Sequence, residues 1–324
     1  MVLKAVLGSL LISNANAANW ALLATGSNTY NNYRHQADLC HAYQILVSKG
    51  FNKDHIITMA YDDIAHNENN PFPGQIFNTP SPTAPGVDVY DGCNIDYKGE
   101  DVTADNFQAL LLGTATTGGN GRTLDTGSND HVTVLYFDHG AAGLIQFPAG
   151  DVLHAAEFQK TLTSMHSQGR YGKMVIYIEA CNSGSMVDTL PTNLNIYAVT
   201  AVSSDYPSLG TYCGYDAVID STPIGSCLGD LFAVYYMNFI SSGDGTHSLN
   251  EFFETVFDSV ASYAALHYGH ELNQQYGDLS LGDLKVSDFF YGDSQSETKL
   301  ATPFEVPWVA PTQVFAAPRI AMDR

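Results

Sequence analysis

Val132-Thr133-Val134-Leu135-Tyr136-Phe137-Asp138-His139-Gly140 is the stretch on which the fold turns. Its first six residues lack the polar alternation of a strand with one wet face. Such near-continuous apolar runs are expected for strands buried on both faces of a parallel sheet. Met174 to Ile178 is a second run of this kind, and Glu179-Ala180-Cys181 follows it. Trp20 to Ala24, Ile56 to Tyr61 and Ile196 to Val202 complete the set of predicted strands. Between them lie helical patterns. Leu39, Ala42, Tyr43, Leu46 and Val47 recur at three and four, with Gly50 as a stop. A shorter helix is read around Phe107, Leu110 and Leu111 with Asp105 as its cap. Others are read over Val152 to Met165, from Leu228 to Phe239, and from Phe252 to Tyr263. Strands alternating with helices predict an α/β domain with a mainly parallel sheet.

Composition narrows the partners. The 324 residues include 34 Asp and Glu against 13 Lys and Arg, a formal charge of −21. Charged residues are only 15% of the chain, against roughly 25% in an average domain. The acidity therefore reflects a shortage of bases rather than a surplus of acids. With 45% hydrophobic and 11% aromatic residues the chain is not disordered. It carries no basic patch for nucleic acid, and no apolar run after residue 20 is long enough for a membrane helix. Self-repulsion at such a charge eases as carboxylates protonate, which favours an acidic setting.

The first residues combine Lys4, the apolar run Ala5 to Ile12, and Ala15-Asn16-Ala17. This is the pattern of a secretory signal peptide over residues 1–17. The five cysteines, Cys40, Cys93, Cys181, Cys213 and Cys227, are too sparse for a disulfide scaffold, and their odd number leaves one outside any set of internal pairs. No Cys-x-x-Cys or His-x-x-x-His spacing supports zinc, and no cofactor is expected. There is no Asn-x-Ser/Thr sequon. Pro71 to Gly86, with five prolines, and Gly113 to Ser128 read as loops. Residues 292–324, with Pro303, Pro307, Pro311 and Pro318, read as an extended linker or activation segment.

Parallel α/β sheets place ligands at the carboxyl ends of their strands. His139 follows one strand and Cys181 another, and neighbouring strands lie about 4.8 Å apart. If these two are neighbours, imidazole and thiol come within catalytic reach. A cysteine nucleophile needs such a base to take its proton and later to protonate the leaving amine. The backbone N–H groups of Gly140 and Cys181 are the natural oxyanion donors. The small residues after Cys181 are expected to expose its sulfur and to lower its pKa. By residue type alone, His35, His41, His55, His66, His154 and His166 read as surface or structural.

Several stretches resemble, in order and with compatible spacing from about Asn19 to Phe290, the legumains or asparaginyl endopeptidases. They are Tyr33-Arg34-His35-Gln36-Ala37-Asp38, Tyr61-Asp62-Asp63-Ile64-Ala65, Asn70-Pro71-Phe72-Pro73-Gly74, Gly99-Glu100-Asp101-Val102-Thr103, Asp138-His139-Gly140, Glu179-Ala180-Cys181 and Ser183-Gly184-Ser185-Met186. The resemblance implies a caspase-like three-layer α/β/α fold over residues 18–291. It also implies a cysteine endopeptidase that cleaves after Asn, and after Asp at acidic pH, through an acyl-enzyme. Cys181 would be the nucleophile, His139 the base and Asn32 the support of that base. Arg34, His35, Glu179 and Asp230 would form the pocket for the P1 side chain, the residue before the cleaved bond. Where the family carries a pocket serine in a Glu-Ser-Ser run, this chain has Pro207, with Ser208 beside it as the expected wall residue.

The implied partners are peptides and proteins with Asn at P1, cystatin-type inhibitors, and the C-terminal prodomain that family precursors carry. The chain as given stops in the linker that precedes such a prodomain, where Asp293 and Asp323 are candidate self-processing sites. The implied location is the secretory pathway, with acidic lysosome-like vesicles or secretion as its end. Three alternatives stand beside this reading: a peptide ligase with the same site, in which an amine rather than water resolves the acyl-enzyme; a GPI-anchor transamidase-like subunit; and a non-enzymatic secreted adhesion protein on the same scaffold.

Overall fold

The computed structural model describes residues 17–264, 272–292, 304–312 and 314–316. A six-stranded sheet is built from β1 (Asn19–Thr25), β2 (Ile56–Met59), β3 (His131–Phe137), β4 (Lys173–Glu179), β5 (Ile196–Thr200) and β6 (Gln274–Gly277). The strand order is β6-β5-β4-β3-β1-β2, parallel throughout except for β6, which runs antiparallel to β5. The five strands read from apolar runs are all present. β6 carries Gln274, Gln275, Tyr276 and Gly277, all partly exposed, so it lacks the apolar run that marks the others.

Helices cover both faces. Alternate residues of β3 and β4 serve opposite sides, as the pleat requires. Leu135, Phe137, Val175 and Tyr177 pack with α1 (Tyr33–Ser48), α4 (Leu231–Ser242) and α5 (Leu249–Ala264). Val134, Tyr136, Ile176 and Ile178 pack with α2 (Ala104–Leu112) and α3 (Ala155–Ser167). The result is the expected α/β/α layering around a mainly parallel sheet. Tyr177 is ringed by Phe232, Tyr236, Phe252 and Phe290 at 5.3–6.2 Å between centroids, which pins α4 and α5 to β4.

Two helix boundaries differ from the sequence reading. The cap of α2 is Thr103, whose hydroxyl accepts from the Asn106 N–H, and not Asp105, which lies inside the first turn. Leu153 and His154 form a short strand against Leu144 and Ile145, so α3 starts only at Ala155. Disulfides join Cys40 to Cys93 and Cys213 to Cys227, which leaves Cys181 as the cysteine outside both.

The proposed signal peptide lies outside the described residues apart from Ala17, as do Asp293 and Asp323. Within the Pro-rich tail, Val314–Ala316 pairs antiparallel with Leu209–Thr211, and the Tyr212 hydroxyl donates to the Val309 carbonyl at 2.5 Å. No helix among the described residues is long and apolar enough to cross a membrane.

Candidate active site

The strand order reverses between β1 and β3. Open α/β sheets bind ligands at such a switch point, beyond the carboxyl ends of the strands. Three turns meet there: residues 26–32 after β1, 138–143 after β3 and 180–187 after β4. β3 and β4 are direct neighbours, with Phe137 opposite Glu179, so His139 and Cys181 each follow two residues beyond that pair. The adjacency on which the dyad depends is thus present. Gly140 allows the two turns to close: a Cβ there would stand 2.3 Å from the Cys181 carbonyl oxygen and 3.2 Å from the Ala180 Cβ.

Asn32 caps α1 and reaches the same place. Its Nδ2 donates to the Asn28 carbonyl at 2.8 Å, which leaves Oδ1 to accept from His139 Nε2, also at 2.8 Å. The proton of neutral His139 therefore sits on Nε2, and Nδ1 carries the lone pair. That Nδ1 is buried and hydrogen-bonds no other described residue. Burial, with help from the charge of Arg34, lowers the His139 pKa to about 4.

Cys181 corrects one expectation. Its side chain is not exposed by the small residues that follow; it is wholly buried. The segment after β5 is tied to its turn by Asn182, whose N–H donates to the Tyr206 carbonyl at 2.8 Å and whose Nδ2 donates to the Ser204 carbonyl at 2.7 Å. Burial accordingly raises the thiol pKa instead of lowering it; hydrogen bonds from Ser208 oppose the rise, and the charges of Glu179 and Asp230 add to it. The resting pair is a thiol and a neutral imidazole.

The residues expected to form the pocket lie near this pair. Arg34 and His35 lie on the first turn of α1, Glu179 ends β4, and Asp230 caps α4. Arg34 Nε donates to Asp230 Oδ1 at 2.8 Å, with both side chains buried. Burial would lower the Arg34 pKa, but Asp230 outweighs it and the guanidinium stays charged. Glu179 Oε2 accepts the Ala233 N–H at 3.0 Å. Ser208 is buried, with its hydroxyl 3.8 Å from the Cys181 sulfur. Four atoms of the expected pocket residues are buried and hydrogen-bond no other described residue: Arg34 Nη2, His35 Nε2, Glu179 Oε1 and Asp230 Oδ2.

His35 borders Asp230, with Nε2 3.6 Å from Asp230 Oδ2. Its Nδ1 is 2.6 Å from the Ser27 hydroxyl and 2.9 Å from Asp138 Oδ1, and its ring meets His139 edge-on at 5.0 Å. Burial pushes His35 well down and Asp138 well up, so the two form a neutral imidazole–carboxylic acid pair rather than an ion pair. His35, Asp138 and His139 hold ligand atoms within 4.8 Å of one another, the one grouping among the described residues with metal-ligand spacing. A cavity of about 360 Å³ lined by Glu100, Asp101, Asp105, Asp151 and Glu157 lies apart and includes none of the dyad or pocket residues.

Sequence reasoning missed Ser27, Asp38, Asn78 and any role for Asp138. Asp38 carried a readable signal, since it stands four residues after Arg34 and so shares its helix face.

A sequence model of the Peptidase C13 family matches residues 19–297. The delta-isozyme of vacuolar-processing enzyme from Arabidopsis thaliana is 48% identical over 227 residues, 69% of this chain and 48% of that protein. The vacuolar-processing enzyme of Vicia sativa is 40% identical over 299 residues, covering 88% and 59%. The hemoglobinase of Schistosoma mansoni is 46% identical over 271 residues, covering 83% and 58%. The chain thus spans about half to three-fifths of the length of these relatives. Caspase-1 from Spodoptera frugiperda superposes at a TM-score of 0.47 with 10% identity, over 82% of this chain and 88% of that one.

Proposed function

The chain belongs to the Peptidase C13 family, and from that premise we propose that it is a cysteine endopeptidase that cleaves peptide bonds after asparagine. The observation that carries the choice of asparagine is a set of three among the unpartnered pocket atoms. A carboxamide offers one carbonyl acceptor and two N–H donors. Arg34 Nη2 matches the carbonyl, and Glu179 Oε1 with Asp230 Oδ2 match the two N–H groups. Protonated aspartate can imitate this pattern in part, so cleavage after Asp belongs to lower pH.

In the proposed reaction His139 Nδ1 takes the Cys181 thiol proton as sulfur attacks the P1 carbonyl carbon. The N–H groups of Gly140 and Cys181 hold the oxyanion. Collapse breaks the C–N bond, and the proton on Nδ1 passes to the leaving amine. Water then attacks the thioester, giving its proton to Nδ1, and the thiol leaves with that proton. Asn32 keeps Nε2 protonated throughout, so the same nitrogen serves as base and acid. The working place of such an enzyme is an acidic vacuole or lysosome-like compartment, as the names of the plant relatives suggest.

Peptides differing only at P1, as Asn, Gln, Asp or Ala, test this in acidic and neutral buffer. A site built to hydrogen-bond an amide rejects side chains lacking it by about 10⁴-fold. Asn should therefore lead at both pH values, with Asp gaining only in acid, and Cys181→Ala should abolish turnover. Equal cleavage after Ala and Asn would overturn the assignment of the pocket.

A further inference from the structure

Behind the Arg34–Asp230 pair lies a carboxyl that the reaction above does not use. Asp38 is wholly buried on α1. Its Oδ1 accepts from Asn78 Nδ2 at 2.7 Å, and its Oδ2 accepts the backbone N–H of Asp230 at 3.2 Å. Asn78 Nδ2 also donates to the Leu228 carbonyl at 2.8 Å. Asp38 and Asn78 together clamp the Leu228–Asp230 segment. Gly229 lets them approach: a Cβ there would lie 3.3 Å from Asp38 Oδ1 and 3.1 Å from Asn78 Nδ2. The bond to the Asp230 N–H sets the Asp38 carboxyl beside that of Asp230, and each acts on the other's proton affinity.

Two carboxyls can share a hydrogen bond only if one of them holds a proton. The surroundings decide which. Arg34 is the buried cation here, and it is in contact with Asp230. Glu179 from the end of β4 and Asp138 from the turn after β3 add acidic groups. Tyr236 faces Asp38 from α4, and burial keeps it protonated. His35 on α1 is neutral, as is His41, which bonds Asn78 Oδ1 at 2.6 Å. With four carboxyls around one guanidinium, full ionisation would strand three negative charges in a dry interior, which the protein avoids by protonation.

We propose that Asp38 is a positioning residue that works as a neutral acid: it donates its proton to Asp230 and so holds that carboxylate against Arg34 in the geometry the P1 amide needs. The inference rests on reading Arg34, Glu179 and Asp230 as the P1 pocket, and it adds a pH limit to that pocket. When Asp38 ionises, attraction to Asp230 becomes repulsion, the carboxylate shifts, and P1 binding weakens while the dyad is untouched.

The test is Asp38→Asn, a neutral isostere that cannot ionise, compared with wild type in the same processed form. KM and kcat for an Asn peptide are followed from acidic to mildly alkaline pH. Wild-type KM should rise on the alkaline side with kcat nearly constant. Asp38→Asn should show a constant KM penalty of at most about tenfold, from losing the acceptor of the Asp230 N–H, and no alkaline rise. A KM that climbs at the same pH in both proteins overturns the inference. Infrared spectroscopy supplies a second readout that needs neither turnover nor the variant. Folded wild type at neutral pH should show a protonated-carboxyl stretch, diminished in Asp38→Asn. No such band in wild type, or an unchanged band in the variant, overturns the inference. Failure of wild type to prefer Asn would instead strike the pocket reading, with the infrared result still deciding Asp38.

Discussion

The sharpest test of the dyad is made at Asn32. Its amide is oriented by the 2.8 Å bond from Nδ2 to Asn28, so Oδ1 can only accept at His139 Nε2. Asn32→Ala removes that acceptor. The ring loses one hydrogen bond, worth about 0.5–1.5 kcal/mol, and with it the preference for the tautomer that leaves Nδ1 free. Each 1.36 kcal/mol is a factor of ten in rate, so kcat/KM should fall by about 2- to 13-fold. The acid limb of the pH profile should stay where it is. Asn32→Asp should act differently. A carboxylate at this half-buried position raises the pKa of a neighbouring imidazole by about one to three units. His139, now at about 4, would then titrate near 5 to 7, and the acid limb of kcat/KM would move up with it. The assay is kcat/KM for one Asn peptide across pH for the three proteins. An acid limb that stays in place in Asn32→Asp would refute the assignment of His139 Nδ1 as the base.

Two further outcomes follow from other contacts. Gly140→Ala forces a Cβ to within 2.3 Å of the Cys181 carbonyl oxygen; the overpacking should cost about 1–3 kcal/mol, read as a lower urea midpoint, and at least tenfold in kcat, and unaltered activity would mean the two turns are not locked together. Stability should also depend on pH in a definite direction. Burial raises Asp38, Asp138, Glu179 and Asp230, so the native state binds more protons than the unfolded chain above the ordinary carboxyl range, and this stability is lost as pH rises. Burial lowers His35, His41 and His139, so the unfolded chain binds more protons below the ordinary imidazole value of 6.5, and that stability is lost as pH falls toward 4. On the alkaline side the raised acids, the carboxyls and also the Cys181 thiol and Tyr236, all act in the same direction, so the urea midpoint should drop as pH rises there; a midpoint that rises would contradict the burial of these acids.

The elements that sequence revealed are those whose information is local. β1 and β3 to β5 are continuous apolar runs because both their faces are covered, and the helices show a 3–4 repeat because one face is. β6 gave no such signal, since it is an edge strand of Gln, Tyr and Gly with partial exposure. The residues at the strand ends were legible because topology puts chemistry there. What stayed hidden is contact across the chain. Arg34 meets Asp230 across 196 positions, and Asp38 meets Asp230 across 192. Spacing along α1 puts Arg34 and Asp38 on one face, but only the fold brings a second carboxyl to them. The Cys181 sulfur was misjudged for the same reason: small neighbours in sequence say nothing about a segment that crosses from after β5.

The acidity of the whole chain and the chemistry of the site share a cause. At −21 overall, and with one guanidinium among four carboxyls inside, the molecule is short of cations at both scales. Outside, the remedy is screening or a lower pH. Inside, neither salt nor water reaches the groups, and the remedy is to keep protons on some of the acids. The same desolvation that holds those protons on carboxyls drives them off His139. It thereby moves the two halves of the proposed site in opposite directions: the acids of the proposed pocket hold protons toward low pH, and the proposed base is free above about 4. A working window on the acidic side therefore needs no dedicated sensor. It follows from burying a neutral dyad and a carboxyl-rich pocket behind the same three turns.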